Sequence, residues 1–122
     1  MGVAYYIVLE TKIDDLDTSM DGKHLATHIE SLDSVARELG LRPLSEFYSV
    51  DPQEAADAID MDINDVKLPP LEQYSAEDGL VTVRALLPRP EAQPVLHDLQ
   101  DCERILTSAA QHGVGWHFQI DI

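Results

Sequence analysis

Positive charge is scarce in this sequence: 8 lysines and arginines stand against 23 aspartates and glutamates, a formal net charge of −15 with the histidines neutral. A chain of that sign repels nucleic-acid phosphates and anionic lipid headgroups, so neither is expected as a partner. Cysteine is scarcer still. Cys102 stands alone, so no intrachain disulfide can form and the cytoplasm is the expected compartment. No apolar run approaches the ~20 residues a bilayer span needs. The apolar residues near the start follow no basic segment and are closed by Glu10, so no secretory signal is expected, and Tyr6 stands where a myristoylation motif wants Ser or Thr. Glycine is thinly scattered, with no glycine-rich loop after a strand and no Gly-x-Ser-x-Gly, so phosphate cradling and serine hydrolysis lack their motifs. The 122 residues suit one domain spanning 1–122.

What is present is periodic. From Gly113 to Ile122, Val114, Trp116, Phe118, Ile120 and Ile122 alternate with Gly115, His117, Gln119 and Asp121, the signature of a half-buried strand. Val3 to Glu10, rich in β-branched and aromatic residues, predicts a second strand beside it. Between them, Leu25, Ile29, Leu32, Ala36 and Leu39 recur at helical steps from a start near Asp21 to a stop at Gly40. Leu41 to Val50 reads as a short third strand, because two strands alone are marginal. Asp51-Pro52-Gln53-Glu54 predicts a short helix to about Ile59, with irregular chain from Asp60 to Tyr74. Ser75-Ala-Glu-Asp78 opens a helix that Pro88 ends, and a last helix runs from about Val95 to His112. The predicted fold is therefore α+β, a small sheet including both terminal strands, covered on one face by three to four helices.

The residues that could carry chemistry are few. Asp21, His24 and His28 place two histidines on one side of a helix with an acid one turn earlier, which suits a divalent metal and a metal-dependent hydrolase completed by His97, His112 or His117. Leu25 takes the place of the glutamate that serves as base in zinc proteases, so that chemistry lacks its proton acceptor. Asp60, Asp62 and Asn64 open like a calcium loop, but Asp65 and Leu71 replace its glycine and its closing glutamate. Cys102 lies in phase with Leu99, Leu106 and Ala109 and reads as a buried thiol. His117 reads as a solvent-exposed strand residue, with Tyr6 or Glu10 as neighbours for a small polar site. No cofactor is called for by any complete motif. From Pro43 to Val66 there are seven acids (Glu46, Asp51, Glu54, Asp57, Asp60, Asp62, Asp65) and no base, which suits either a solvated face or a surface for a basic protein partner or a cation.

Tyr5 to Glu10, Ser75 to Leu87 and Gly113 to Asp121 together resemble a set of short, acidic bacterial proteins to which no activity is attached. The resemblance implies a free-standing bacterial cytoplasmic protein and assigns no functional residue. The residues themselves favour a non-catalytic protein-interaction module with an acidic surface, of the inhibitor or immunity-protein kind. The metal-dependent hydrolase is the alternative, and a small-molecule binding fold or structural homodimer a further one. A homodimer is expected through an open sheet edge beside Tyr5, Tyr6 and Ile7.

Overall fold

Alternation of large apolar and polar side chains draws the two ends of the chain into one antiparallel ribbon in the computed structural model, which describes residues 3–49 and 72–121. Strand β1 (Ala4–Leu9) pairs with β2 (Trp116–Asp121) in a register running from Ala4↔Asp121 to Leu9↔Trp116. Tyr5, Ile7, Trp116 and Phe118 fall on one face and are buried, as the period of two requires. A ribbon of two strands does not stand alone, and three helices pack with it.

Helix α1 (Lys23–Glu38) buries Leu25, Leu32 and Ala36 of its predicted stripe and Val35 besides, leaves Ile29 half-buried and Leu39 exposed, and gives way at Gly40 with φ 73°. Helix α2 (Ala76–Leu86) starts where Ser75 Oγ accepts the Asp78 amide at 3.1 Å, the capping arrangement expected from Ser75-Ala-Glu-Asp78. Helix α3 (Leu96–His112) follows a 3-10 turn at Pro90–Val95 and ends at Gly113, φ 66°, before β2. None of the helices among the described residues is long and apolar enough to cross a membrane.

One local expectation is corrected. The predicted third strand is instead a 3-10 turn at Leu44–Phe47 followed by a single parallel bridge between Tyr48 and Phe118. Pro43 offers no amide to a ladder, and the buried Asp33 carboxylate takes the Ser45 amide at 3.3 Å, so the chain coils and inserts Leu44 and Phe47 into the core rather than lying along the sheet. The start of α1 also lacks a side-chain cap of its own: Gly22, at φ 71°, precedes it, and Asp98 Oδ2 from α3 accepts the Leu25 amide at 2.9 Å. A buried carboxylate and a helix N-terminus thus satisfy each other across 73 residues of sequence. The helix predicted from Asp51 and the calcium-like segment from Asp60 lie outside the described residues.

The buried side chains of the strands and all three helices meet in one cluster centred on aromatics. Trp116 stacks on Phe47 with ring centroids 4.9 Å apart and meets Phe118 edge-on at the same separation. Phe118 in turn meets Tyr5 edge-on at 5.4 Å, so the cluster crosses the ribbon. Such pairs contribute about 0.5–1.5 kcal/mol each beyond the area they bury.

Candidate interaction surface

The acidic side chains divide by burial. Asp33 and Asp98 are the two buried carboxylates among the described residues, and each accepts a main-chain amide, from Ser45 and Leu25 respectively. Their burial is therefore compensated, and their role is to hold the ends of local segments. Glu10, Asp14, Asp15, Asp17, Asp21, Glu30, Glu38, Glu46, Glu72, Glu77 and Asp78 are exposed. Of the acids predicted to face a partner, Glu46 is thus on the surface, while Asp51, Glu54, Asp57, Asp60, Asp62 and Asp65 lie outside the described residues.

Asp21 and His24 are exposed and His28 is half-buried, at the start of α1 and one turn into it. They are not gathered: among the described residues the one group of three or more His, Cys, Asp or Glu whose ligand atoms lie within 4.8 Å of one another is His97, Asp98 and Asp101 on α3. That group already has partners. Asp98 holds the Leu25 amide, and Asp101 lies 3.4 Å from both His97 Nδ1 and an Arg104 nitrogen. His112, the second of the offered further ligands, sits with its Nδ1 2.8 Å from Ser108 O, one turn back on its own helix.

His117 departs from expectation in a specific way. It is 1% exposed rather than solvent-facing, and a chain of polar groups runs through it. The Tyr6 hydroxyl donates to Gln119 Oε1 at 2.7 Å, Gln119 Nε2 lies 3.1 Å from His117 Nε2, and His117 Nδ1 lies 3.1 Å from Gln73 Oε1. An amide nitrogen only donates and an amide oxygen only accepts, so His117 accepts a hydrogen bond at Nε2 from Gln119 and donates one from Nδ1 to Gln73. Tyr6 is the neighbour that the sequence suggested, reached through Gln119, and nothing local in the sequence announced Gln73, which lies 44 residues away.

The outer edge of β1 is the other feature built by distant contacts. Glu10 N donates to Gly115 O, while Trp116 and Phe118 turn their main-chain groups away from β1, so Tyr5, Ile7 and Leu9 are the β1 residues whose amides and carbonyls face outward. Tyr5 N donates to Gly22 O at 3.1 Å. For Ile7 and Leu9 no such partner exists among the described residues. A groove of about 450 Å³ runs there, lined by Ile7, Leu9, Lys12, Ile13, Leu16 and Thr18 among others. Its far wall is the Thr11 to Met20 loop, which folds on itself where Asp17 Oδ1 accepts the Ser19 hydroxyl at 2.6 Å and the Ser19 amide at 2.9 Å. These two bonds, the hydroxyl's first, hold the Asp17 carboxyl below its ordinary range. Arg104 from α3 donates to the carbonyls of Asp17 and Ser19 and ties the loop to the helix layer. No local pattern in the sequence points to Arg104, 87 residues from Asp17, as the anchor of this loop.

Cys102 is fully buried, and burial first, with Asp98 and Asp101 adding to it, pushes its thiol far above the range in which thiolates form. It is a core side chain, as its helical phase suggested. Compared with protein-family models, with curated proteins and with solved structures, the chain finds no match in any of the three.

Proposed function

We propose that this protein is a non-catalytic cytoplasmic interaction module whose acidic surface receives a basic protein partner, in the manner of small inhibitor and immunity proteins. The observation that carries this reading is the sorting of its carboxylates: Asp33 and Asp98 are buried and matched to amides, while eleven others stand exposed on a chain with 8 basic side chains in all. Solubility alone asks for a net charge of magnitude about 2–8 in a small domain, and −15 exceeds that. An excess of one sign raises the rate of encounter with the opposite sign and makes it steeply dependent on salt.

The test is capture of partners by the immobilised protein from its native lysate at low and at high salt. A basic protein retained at low salt and released at high salt is the expected result. Retention of nothing at either salt removes the reading. The metal-dependent hydrolase built on Asp21, His24 and His28 receives no comparable support from geometry, since those side chains are not brought together.

A further inference from the structure

We infer that the outer edge of β1 is the docking site of the basic partner, which adds one short extended segment as a third strand beside Ile7 and Leu9. This inference rests on the interaction-module reading and names the place and the mode of binding.

Three features converge on that edge. Ile7 and Leu9 present outward main-chain groups with no hydrogen-bond partner among the described residues, spaced about 7 Å apart as alternate residues of a strand are. An exposed row of that kind is the template used when an extended peptide joins a sheet. The groove beside it has apolar walls from Ile13 and Leu16, which can take the alternate side chains of an incoming strand. The pairing is bounded at one end, because Gly22 already occupies the edge at Tyr5.

Charge selects the occupant. The loop that walls the groove carries three exposed carboxylates, Asp14, Asp15 and Asp17, beside the lining residues Ile13, Leu16 and Thr18, while Lys12 is the charged side chain that lines the groove itself and Arg104 holds the loop by its carbonyls. A segment alternating apolar residues with lysine or arginine meets this rim with opposite charge and fills the groove with its apolar side. A second copy of the chain is disfavoured, since edge-to-edge pairing of two β1 strands would bring two such acidic rims, and two net charges of −15, against each other. The wall is held in place beforehand by Arg104 on the Asp17 and Ser19 carbonyls, so little ordering is required on binding.

The experiment uses the whole chain and a fluorescent Lys-Val alternating peptide of about nine residues, with a Glu-Val peptide of equal length and a Lys-Val peptide methylated on successive central amides as controls. Expected results are salt-sensitive binding of the first alone and a slowing of Ile7 and Leu9 amide exchange by about tenfold or more at saturation. Asp14→Asn with Asp15→Asn, both at exposed positions, weakens that binding about three- to tenfold without changing the melting temperature. If the methylated peptide binds equally well, or Ile7 and Leu9 stay unprotected, the edge is not the site, although the acidic-surface reading survives. If no basic peptide binds at low salt, the edge inference falls, and partner capture from lysate then decides the broader reading separately. If Ile7 and Leu9 are protected without peptide in a particle of twice the monomer mass, a second copy holds the edge and the inference is overturned.

Discussion

The two outer edges of one ribbon are treated in opposite ways. Along β2, Ser49 N donates to Phe118 O, and Tyr74 and Trp116 exchange main-chain hydrogen bonds of 2.8 and 2.9 Å. The Trp116 indole donates to Ser75 O, and Arg42 lies over the rings of Phe47 and Tyr74 at 4.9 and 4.5 Å. That edge is closed by two short pieces of chain, neither of which is a strand. Along β1, among the described residues, the closure is one hydrogen bond, from Tyr5 to Gly22, and the groove begins beyond it. The difference teaches that the protein does not lack the means to cover an edge, and that no described residue covers β1 at Ile7 and Leu9 as Tyr74 and Ser49 cover β2.

The closed side should yield the largest effect. Trp116 is fully buried and touches Phe47, Phe118 and the Ser75 carbonyl, so Trp116→Ala should cost about 3–5 kcal/mol. Against a total of about 5–15 kcal/mol that brings the domain near unfolding. Thermal melting followed by circular dichroism checks it, and an unchanged midpoint would show that the β2 side is not the anchor.

Gly22→Ala tests the single closure on β1. A Cβ there would sit 1.8 Å from the Tyr5 carbonyl oxygen at φ +71°, whereas Gly40 and Gly113 share that backbone region with nothing within 4 Å. Denaturant titration should therefore give about 2–4 kcal/mol lost for Gly22→Ala and about 1 for Gly40→Ala. Equal losses would mean that the contact with Tyr5 contributes nothing.

A smaller change is expected from Gly79→Ala, where α2 meets the β2 side. Replacing glycine within a helix gains about 1 kcal/mol, but the added Cβ falls 2.4 Å from Trp116 Cζ2 in a fully packed region, and overpacking costs about 1–3. The net loss is up to about 2 kcal/mol, and a stabilised variant would show that the indole has room to move.

The smallest effect is alkaline. Tyr5 and Tyr74, on either side of the ribbon, both resist ionisation. Burial is the first cause in each, followed by the charge of Asp33 for Tyr5 and by donation to Glu72 for Tyr74. Both therefore lose their protons sooner in the unfolded chain, so their contribution is present below about pH 10 and is lost as pH rises past it. The buried Cys102 thiol acts in the same direction from about pH 9. The melting temperature should hold to about pH 9 and then fall, with Tyr5→Phe flattening the decline more than Tyr74→Phe because Tyr5 is the more buried. A larger effect from Tyr74→Phe would reverse the ranking of the two sides.

Much of this comparison could be read in advance. Val114 to Ile122 alternates so regularly that its core face was certain to be apolar, and Ser75 and Gly40 mark helix ends by chemistry contained within three or four residues. The excess of acid was legible, and the sequence placed the candidate surface at Pro43 to Val66, most of which lies outside the described residues. Phe47 and Tyr48 looked like strand residues because a short apolar run fits either a strand or an inserted coil, and Pro43 with Asp33 decided for the coil. His117 looked exposed because its neighbours on the strand alternate correctly; its burial follows from packing on the second face of the ribbon, where Gln73 arrives from elsewhere.

The sequence by itself determined the two terminal strands and the three helices of the described residues, the apolar face of each, and the sign of the surface, because all three depend on side-chain type and short-range periodicity. Only the tertiary structure decided that Asp98 caps a helix 73 residues away, that Gly22 closes β1 at Tyr5, that the Trp116 indole meets Ser75 O across 41 residues, and that no described residue pairs with the outer side of Ile7 and Leu9. These are pairings between distant residues, and a local pattern shows that a group needs a partner without showing which partner the packed chain will bring.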